Sequence, residues 1–162
     1  MCIANTTIDH TPLRDDFQAA FAPNKMKLLA IVCHDSKRDV MKKFVTTHKN
    51  VLKKFRLVAV QSTARVLAEV FQQGEASDSV SIVRSGPYEL IDAVKNGKVG
   101  GALFFRGESS EPDLHVETLV RQTVVHNIVS ATTPETAAAI VEVFRTALTG
   151  RSEEHTSELQ SR

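Results

Sequence analysis

The chain has 162 residues, 42% of them hydrophobic and 24% charged, with a formal net charge of +1. This profile belongs to one folded globular domain and excludes a disordered or fibrous chain. So small a charge argues against a dedicated nucleic-acid or anionic-membrane surface, because both rest on a strong basic excess, and it leaves a small neutral or anionic ligand open. At this length roughly 70% of the unfolded chain's surface can be buried, so a core forms without disulfides or a structural metal. Cys2 and Cys33 are the only cysteines, too few for a disulfide framework or a thiolate metal site, which suits a reducing compartment. No apolar stretch approaches the roughly 18 residues that cross a bilayer, and the N-terminus lacks the basic-then-apolar order of a secretion signal. A cytoplasmic location is expected, with no membrane and no nucleic-acid partner.

Residues 1 to 25 mix Thr, Asp, Pro and Asn without sustained periodicity and are expected to form a loose arm, with Phe17, Ala20 and Phe21 able to make a short docking helix. Lys27 to Cys33 is an apolar run that stops abruptly at His34-Asp35, as a strand buried on both faces does. Asp35 or Ser36 can then cap a helix in which Val40, Met41, Phe44, Val45, Val51, Leu52 and Phe55 recur at helical spacing. Lysines 42, 43, 49, 53 and 54 cover its other face, and His48, four residues from both Phe44 and Leu52, belongs to the apolar stripe.

The cycle repeats. Leu57 to Val60 predicts a second strand, and Ser62-Thr63 opens a helix carrying Val66, Leu67, Val70 and Phe71 before Gly74 stops it. Val80 to Val83 predicts a third strand, followed by the turn Ser85-Gly86-Pro87 and a helix through Leu90, Ile91 and Val94 that ends near Asn96-Gly97. Val99 to Phe105 is the fourth strand, and Pro112-Asp113 opens a helix with Val116, Leu119, Val120 and Val124. Ile128 to Ala131 is the fifth, and Pro134 begins a last helix through Ile140, Val141, Phe144 and Leu148. Residues 151 to 162 are polar and look like the in-frame translation of a common sequencing-library adapter, so they are set aside. Removing them leaves 18 basic and 16 acidic residues, which changes no conclusion about charge. The folded domain is expected over residues 26 to 150, with the natural C-terminus missing.

Five alternating strand and helix units imply an α/β fold, a three-layer doubly wound sheet of about five parallel strands covered on both faces. In such sheets ligands bind beyond the carboxyl ends of the strands. The segments there are His34-Asp35, Gln61-Ser62-Thr63, Arg84-Ser85-Gly86-Pro87, Arg106-Gly107-Glu108 and Thr132-Thr133. Hydroxyls and free N–H groups at successive helix N-termini suit a phosphate or carboxylate. Taken singly these residues have ordinary explanations: Asp35, Ser62 and Thr63 as helix caps, Ser85-Gly86-Pro87 as a turn. His115 and His126 have no second ligand at metal spacing, and no metal is expected. No dinucleotide fingerprint or Walker motif is present, which disfavours a nucleotide, and no cofactor is expected.

The order Ala30-Ile-Val-Cys-His34-Asp35, Ser62-Thr63, Ser85-Gly86-Pro87, Asn96-Gly97-Lys98 before Leu103-Phe104-Phe105, His126-Asn127-Ile128 and Ala131-Thr132 resembles the methylglyoxal synthase family over about residues 26 to 150. The resemblance implies a homo-oligomer, usually a hexamer, that eliminates phosphate from dihydroxyacetone phosphate, giving methylglyoxal, without a cofactor. In that chemistry a carboxylate takes a proton beside the carbonyl, a histidine moves protons among the enediol oxygens, and hydroxyls, amides and a cation hold the phosphate. Carried onto this chain, the phosphate-binding set is His34, Arg38, Ser62, Thr63, Ser85 and Gly86. Arg38 falls where the family has a lysine, and Gln61 and Ala64 replace the glycines that flank its paired threonines.

The catalytic half departs from the family. After Ser-Gly-Pro the family's Gly-rich segment with its base aspartate has no counterpart, since Tyr88-Glu89-Leu90 follows at once. Where the family has Phe-Phe-Trp-Asp-Pro this chain reads Phe104-Phe105-Arg106-Gly107-Glu108. The proton-shuttling histidine falls on Pro112, and His115 replaces a family aspartate. Glu89 and Asp92 are the candidates for a displaced base. The expected function is binding of a small phosphate ester of the dihydroxyacetone phosphate class, or of inorganic phosphate, with the lyase activity weak or lost. The alternative is a non-catalytic domain that senses phosphate or a metabolite, as the related regulatory domain of carbamoyl-phosphate synthetase does by ligand binding.

Overall fold

The computed structural model describes residues 26–72, 80–107 and 113–160, with side chains described up to residue 149. The arm over residues 1 to 25, Gly74, Pro112 and the side chains of the C-terminal segment lie outside the described residues. Five strands, β1 Leu29–Cys33, β2 Leu57–Val60, β3 Ile82–Ser85, β4 Gly101–Phe105 and β5 Val129–Ala131, form one sheet in the order β3-β2-β1-β4-β5. Every pairing is parallel, which confirms the doubly wound α/β fold. β1 is central, with Leu29 to Val32 buried because helices cover both sheet faces.

Among the described residues six helices follow in chain order: α1 Arg38–Thr47, α2 Lys49–Leu52, α3 Gln61–Gln72, α4 Pro87–Lys95, α5 Leu114–Val125 and α6 Pro134–Gln160. Successive strand residues face opposite ways, so the core has two halves. Leu29, Ile31, Leu57, Leu103 and Phe105 pack with α1, α2, α3 and α6 residues such as Met41, Leu52, Leu67 and Phe144. Ala30, Val32, Val58 and Phe104 pack with Leu90, Ile91 and Val94 of α4 and Leu119 of α5. The helix after β1 therefore goes to one face and the helix after β4, its neighbour in the sheet, to the other. Such a divergence opens a crevice at the carboxyl ends of the two strands.

Three local expectations are corrected. The single helix expected from Asp35 to Phe55 is instead a 3-10 turn over Asp35–Lys37, then α1, then a break at His48 (φ −106°, ψ 17°) before the one-turn α2. Val51 and Leu52 N–H both return to the His48 carbonyl, at 3.1 and 3.0 Å, and the turn so formed delivers Val51, Leu52 and Phe55 into the core. The cap of this region is His34, not Asp35 or Ser36, because its ring nitrogen accepts the Ser36 N–H. β3 lies two residues later than the apolar run suggested, since its register on β2 runs from Leu57↔Ile82 to Val60↔Ser85. An edge strand is paired on one side only, so it can take up polar residues such as Arg84 and Ser85.

Candidate functional site

At the carboxyl ends of β1 and β4 the chain continues into His34 and Arg106-Gly107. The His34 N–H donates to the Phe105 carbonyl at 2.9 Å, which ties the two loops together. Its imidazole Nδ1 accepts the Ser36 N–H at 3.1 Å and meets the Ser36 hydroxyl at 2.7 Å. An amide can only donate, so Nδ1 carries the lone pair and Nε2 carries the proton. The half-buried ring thus presents one N–H donor of fixed identity.

Arg38 opens α1, and its Nη2 donates to Asp35 Oδ1 at 2.9 Å across one turn. Both side chains are largely exposed, at 44% and 81%, and such a surface pair is worth only about 0–1 kcal/mol. An incoming phosphate can therefore take the guanidinium in its planar two-pronged grip with little loss. Beside them Cys33 is half-buried with its Sγ toward the His34 carbonyl at 3.1 Å. Burial pushes its thiol up to about 11, with the Arg38 charge opposing and Asp35 adding to the rise; the thiol is no nucleophile at neutral pH.

On the next strand, α3 begins directly after β2, so Ser62 and Thr63 are its second and third residues rather than its cap. Ser62 is exposed and Thr63 is buried. One strand further, the Ser85 hydroxyl donates to the Gly86 carbonyl at 2.9 Å. Gly86 caps α4 with Pro87 behind it, and its N–H donates to Glu89 Oε2 at 3.4 Å. The loops after β1, β2 and β3 are adjacent, and with about 4.8 Å between strands the row from His34 to Ser85 spans about 10 Å.

The two displaced-base candidates are placed unequally. Glu89 sits at the rim with its carboxylate on the Gly86 amide. Asp92 is exposed on α4, about 9 Å below Gly86 along the helix axis at 1.5 Å per residue. The structure thus gathers His34, Arg38 and Asp35 into one cluster and Ser85, Gly86 and Glu89 into another, with Ser62 and Thr63 in the first turn of the helix that follows the strand between them. His115 packs its ring edge-on against Tyr88, in the first turn of α4, with centroids 4.7 Å apart.

A hollow of about 490 Å³ is walled by Lys37, Val40, Phe105, Arg106, Thr132 and Thr133 and by the first turn of α6. The Arg106 guanidinium is paired with Glu117 of α5, and the Thr133 hydroxyl caps α6 through the Thr136 N–H at 3.2 Å. Arg106, Thr132 and Thr133 were marked by their strand-end positions, whereas Lys37 and Val40 carried no signal beyond helical spacing. Among the described residues no group of three or more His, Cys, Asp or Glu could hold a metal ion. No described helix is long and apolar enough to cross a membrane.

No protein-family model matches the chain. Among curated proteins, it is 30% identical to the methylglyoxal synthase of Clostridium botulinum (strain Eklund 17B) over 124 residues, which is 72% of this chain and 98% of the relative. It is 32% identical to the methylglyoxal synthase of Thermus thermophilus over 128 residues, covering 74% and 96%. The enzyme of Ralstonia nicotianae is 33% identical over 125 residues, covering 72% and 87%. Among solved structures, methylglyoxal synthase from Elizabethkingia anophelis superposes with a TM-score of 0.59 at 26% identity, over 72% of this chain and 77% of that one. Sequence and fold agree: the chain belongs to the methylglyoxal synthase family, as a divergent member.

Proposed function

We propose that the chain binds a small phosphate ester of the dihydroxyacetone phosphate class along the rim from His34 to Ser85, and that the family's phosphate-eliminating activity is weak or lost in it. The phosphate is held by Arg38, by the hydroxyls of Ser62, Thr63 and Ser85, and by the Gly86 amide once Glu89 has swung away. His34 Nε2–H donates to a ligand oxygen. These are groups that recognise an oxyanion by charge-assisted hydrogen bonds, which are the strong ones.

The observation that carries the second half is the placement of the two acidic candidates, neither of which is free at the rim. Elimination requires a base to remove a proton beside the carbonyl, giving an enediolate that expels phosphate as the C–O bond breaks. Glu89 is engaged as a helix cap, and Asp92 lies more than a full helical turn from the rim. General acid and base groups contribute roughly 10² to 10⁴ each, and displacement by a few ångström forfeits most of it. The same reading takes the protein as a cytoplasmic homo-oligomer, hexameric by its resemblance to the family.

The test pairs two measurements on the full chain. Inorganic phosphate or dihydroxyacetone phosphate should raise the melting temperature, and phosphate release from dihydroxyacetone phosphate in a single-turnover assay should stay near background. Rapid release would overturn the reading of lost catalysis, and no thermal shift with either ligand would overturn the binding site.

A further inference from the structure

Gly107 lies against the imidazole of His34. A Cβ placed on Gly107 would stand 2.4 Å from Nδ1, 2.6 Å from Cγ and 2.9 Å from Cε1. Three successive ring atoms this close set that point over the face of the ring, not at its edge. Glycine is not required at 107 by backbone conformation, since Gly97 is the described glycine with a positive φ. What the position demands is the absence of a side chain. The opposing constraint comes from Ser36, whose amide and hydroxyl hold Nδ1, and from the His34 N–H bond to Phe105, which fixes the backbone beneath the ring.

We propose that Gly107 is the positioning residue of the site: its bare backbone is the floor on which the His34 ring lies flat, with Nδ1 held by Ser36 and Nε2–H left as the donor. That Nε2–H meets a phosphate-ester oxygen rests on the function proposed above; the ring position rests on geometry alone. Any side chain at 107 evicts the imidazole, because the atoms met are those of a movable ring and not of backbone. The loop after β4 thereby sets the hydrogen-bonding polarity of a residue that follows β1.

The test is a thermodynamic cycle with a spectroscopic readout. In the wild type, ring ¹⁵N resonances of His34 should report a bare Nδ1 and a protonated Nε2 at pH 8, and Gly107→Ala should shift them toward a mixture of tautomers. Inorganic phosphate should bind roughly tenfold more weakly to Gly107→Ala, the scale of one hydrogen bond to a charged group. In the His34→Ala background, Gly107→Ala should cost no further affinity and leave the melting temperature of His34→Ala unchanged, as residues coupled only through each other require. Unchanged His34 resonances in Gly107→Ala would overturn the proposal, as would losses that add in the double variant or a double variant that fails to fold. Should the wild type bind no phosphate, the functional reading falls while the ring resonances still decide the role of Gly107.

Discussion

Arg38 and Asp35 form an ion pair across one turn, with Nη2 and Oδ1 2.9 Å apart, at the mouth of the site rather than in the core. The pair occupies one edge of the guanidinium and contributes little to folding. Asp35→Asn should therefore change thermal stability by less than about 1 kcal/mol and strengthen phosphate binding a few-fold. Arg38→Ala should abolish the phosphate-dependent rise in melting temperature. Titration of both variants by differential scanning fluorimetry decides the matter, and an unaltered phosphate response in Arg38→Ala would remove this residue from the site.

Glu89 caps the Gly86 amide at 3.4 Å and places a negative charge in the first turn of α4, where the helix dipole favours it. Glu89→Gln should lower stability by about 0.3–1 kcal/mol and tighten phosphate binding, because a charge that repels the ligand and competes for its amide is gone. Were Glu89 a working base instead, the same substitution would remove whatever phosphate release the wild type shows. Stability and turnover measured on one preparation separate the two roles.

His48 stacks on Phe44, with ring centroids 4.5 Å apart, and its Nδ1 is buried without a hydrogen-bond partner. Burial lowers its pKa below the ordinary 6.5, the Arg145 charge adds to the lowering, and Glu142 opposes it. The folded state therefore binds fewer protons than the unfolded state below about pH 6.5. Stability should be flat in this respect above that pH and should decline as the pH falls through 6.5 toward the lowered folded value. His48→Gln should flatten the decline in urea denaturation measured between about pH 7.5 and 5.5.

Phe144 is fully buried and packs on Phe55 with centroids 4.8 Å apart, which anchors α6 to the segment after α2. Phe144→Ala should destabilise the protein by about 3–5 kcal/mol. A protein of marginal stability loses about a fifth or more of its total to such a change, so equilibrium unfolding should show a large fall in midpoint.

Cys33, with its thiol near 11, should carry about one thiolate per thousand molecules at pH 8. Peptide mass spectrometry after iodoacetamide at that pH should find it alkylated far more slowly than a free thiol in a peptide, and full modification within the same time would contradict the burial.

Much of the architecture was legible in the amino-acid order because it depends on local periodicity. Apolar runs rich in branched residues such as Leu29 to Cys33 and Leu57 to Val60 demand burial on both faces, and the amphipathic segments between them can only be the covering helices. The positions of His34, Ser62 and Ser85 at strand ends followed from the same alternation, since a parallel sheet carries all its strand-to-helix turns to one edge. The break at His48 and the late start of β3 were not legible, because the first depends on packing Val51 and Leu52 and the second on a register set by β2. Nor were the partners at the site. Glu89 with Gly86 is a local cap that could have been suspected from the N3 position, whereas Arg106 with Glu117, the hollow beside α6 and the fit of Gly107 beneath His34 join residues whose proximity exists only after the chain has crossed the sheet. Sequence alone thus determined the fold class and the edge that carries the strand-to-helix turns, because hydrophobic patterning acts within one element. Which groups face one another at that edge was decided by tertiary structure, because side-chain contacts between loops depend on strand order and register and not on spacing along the chain.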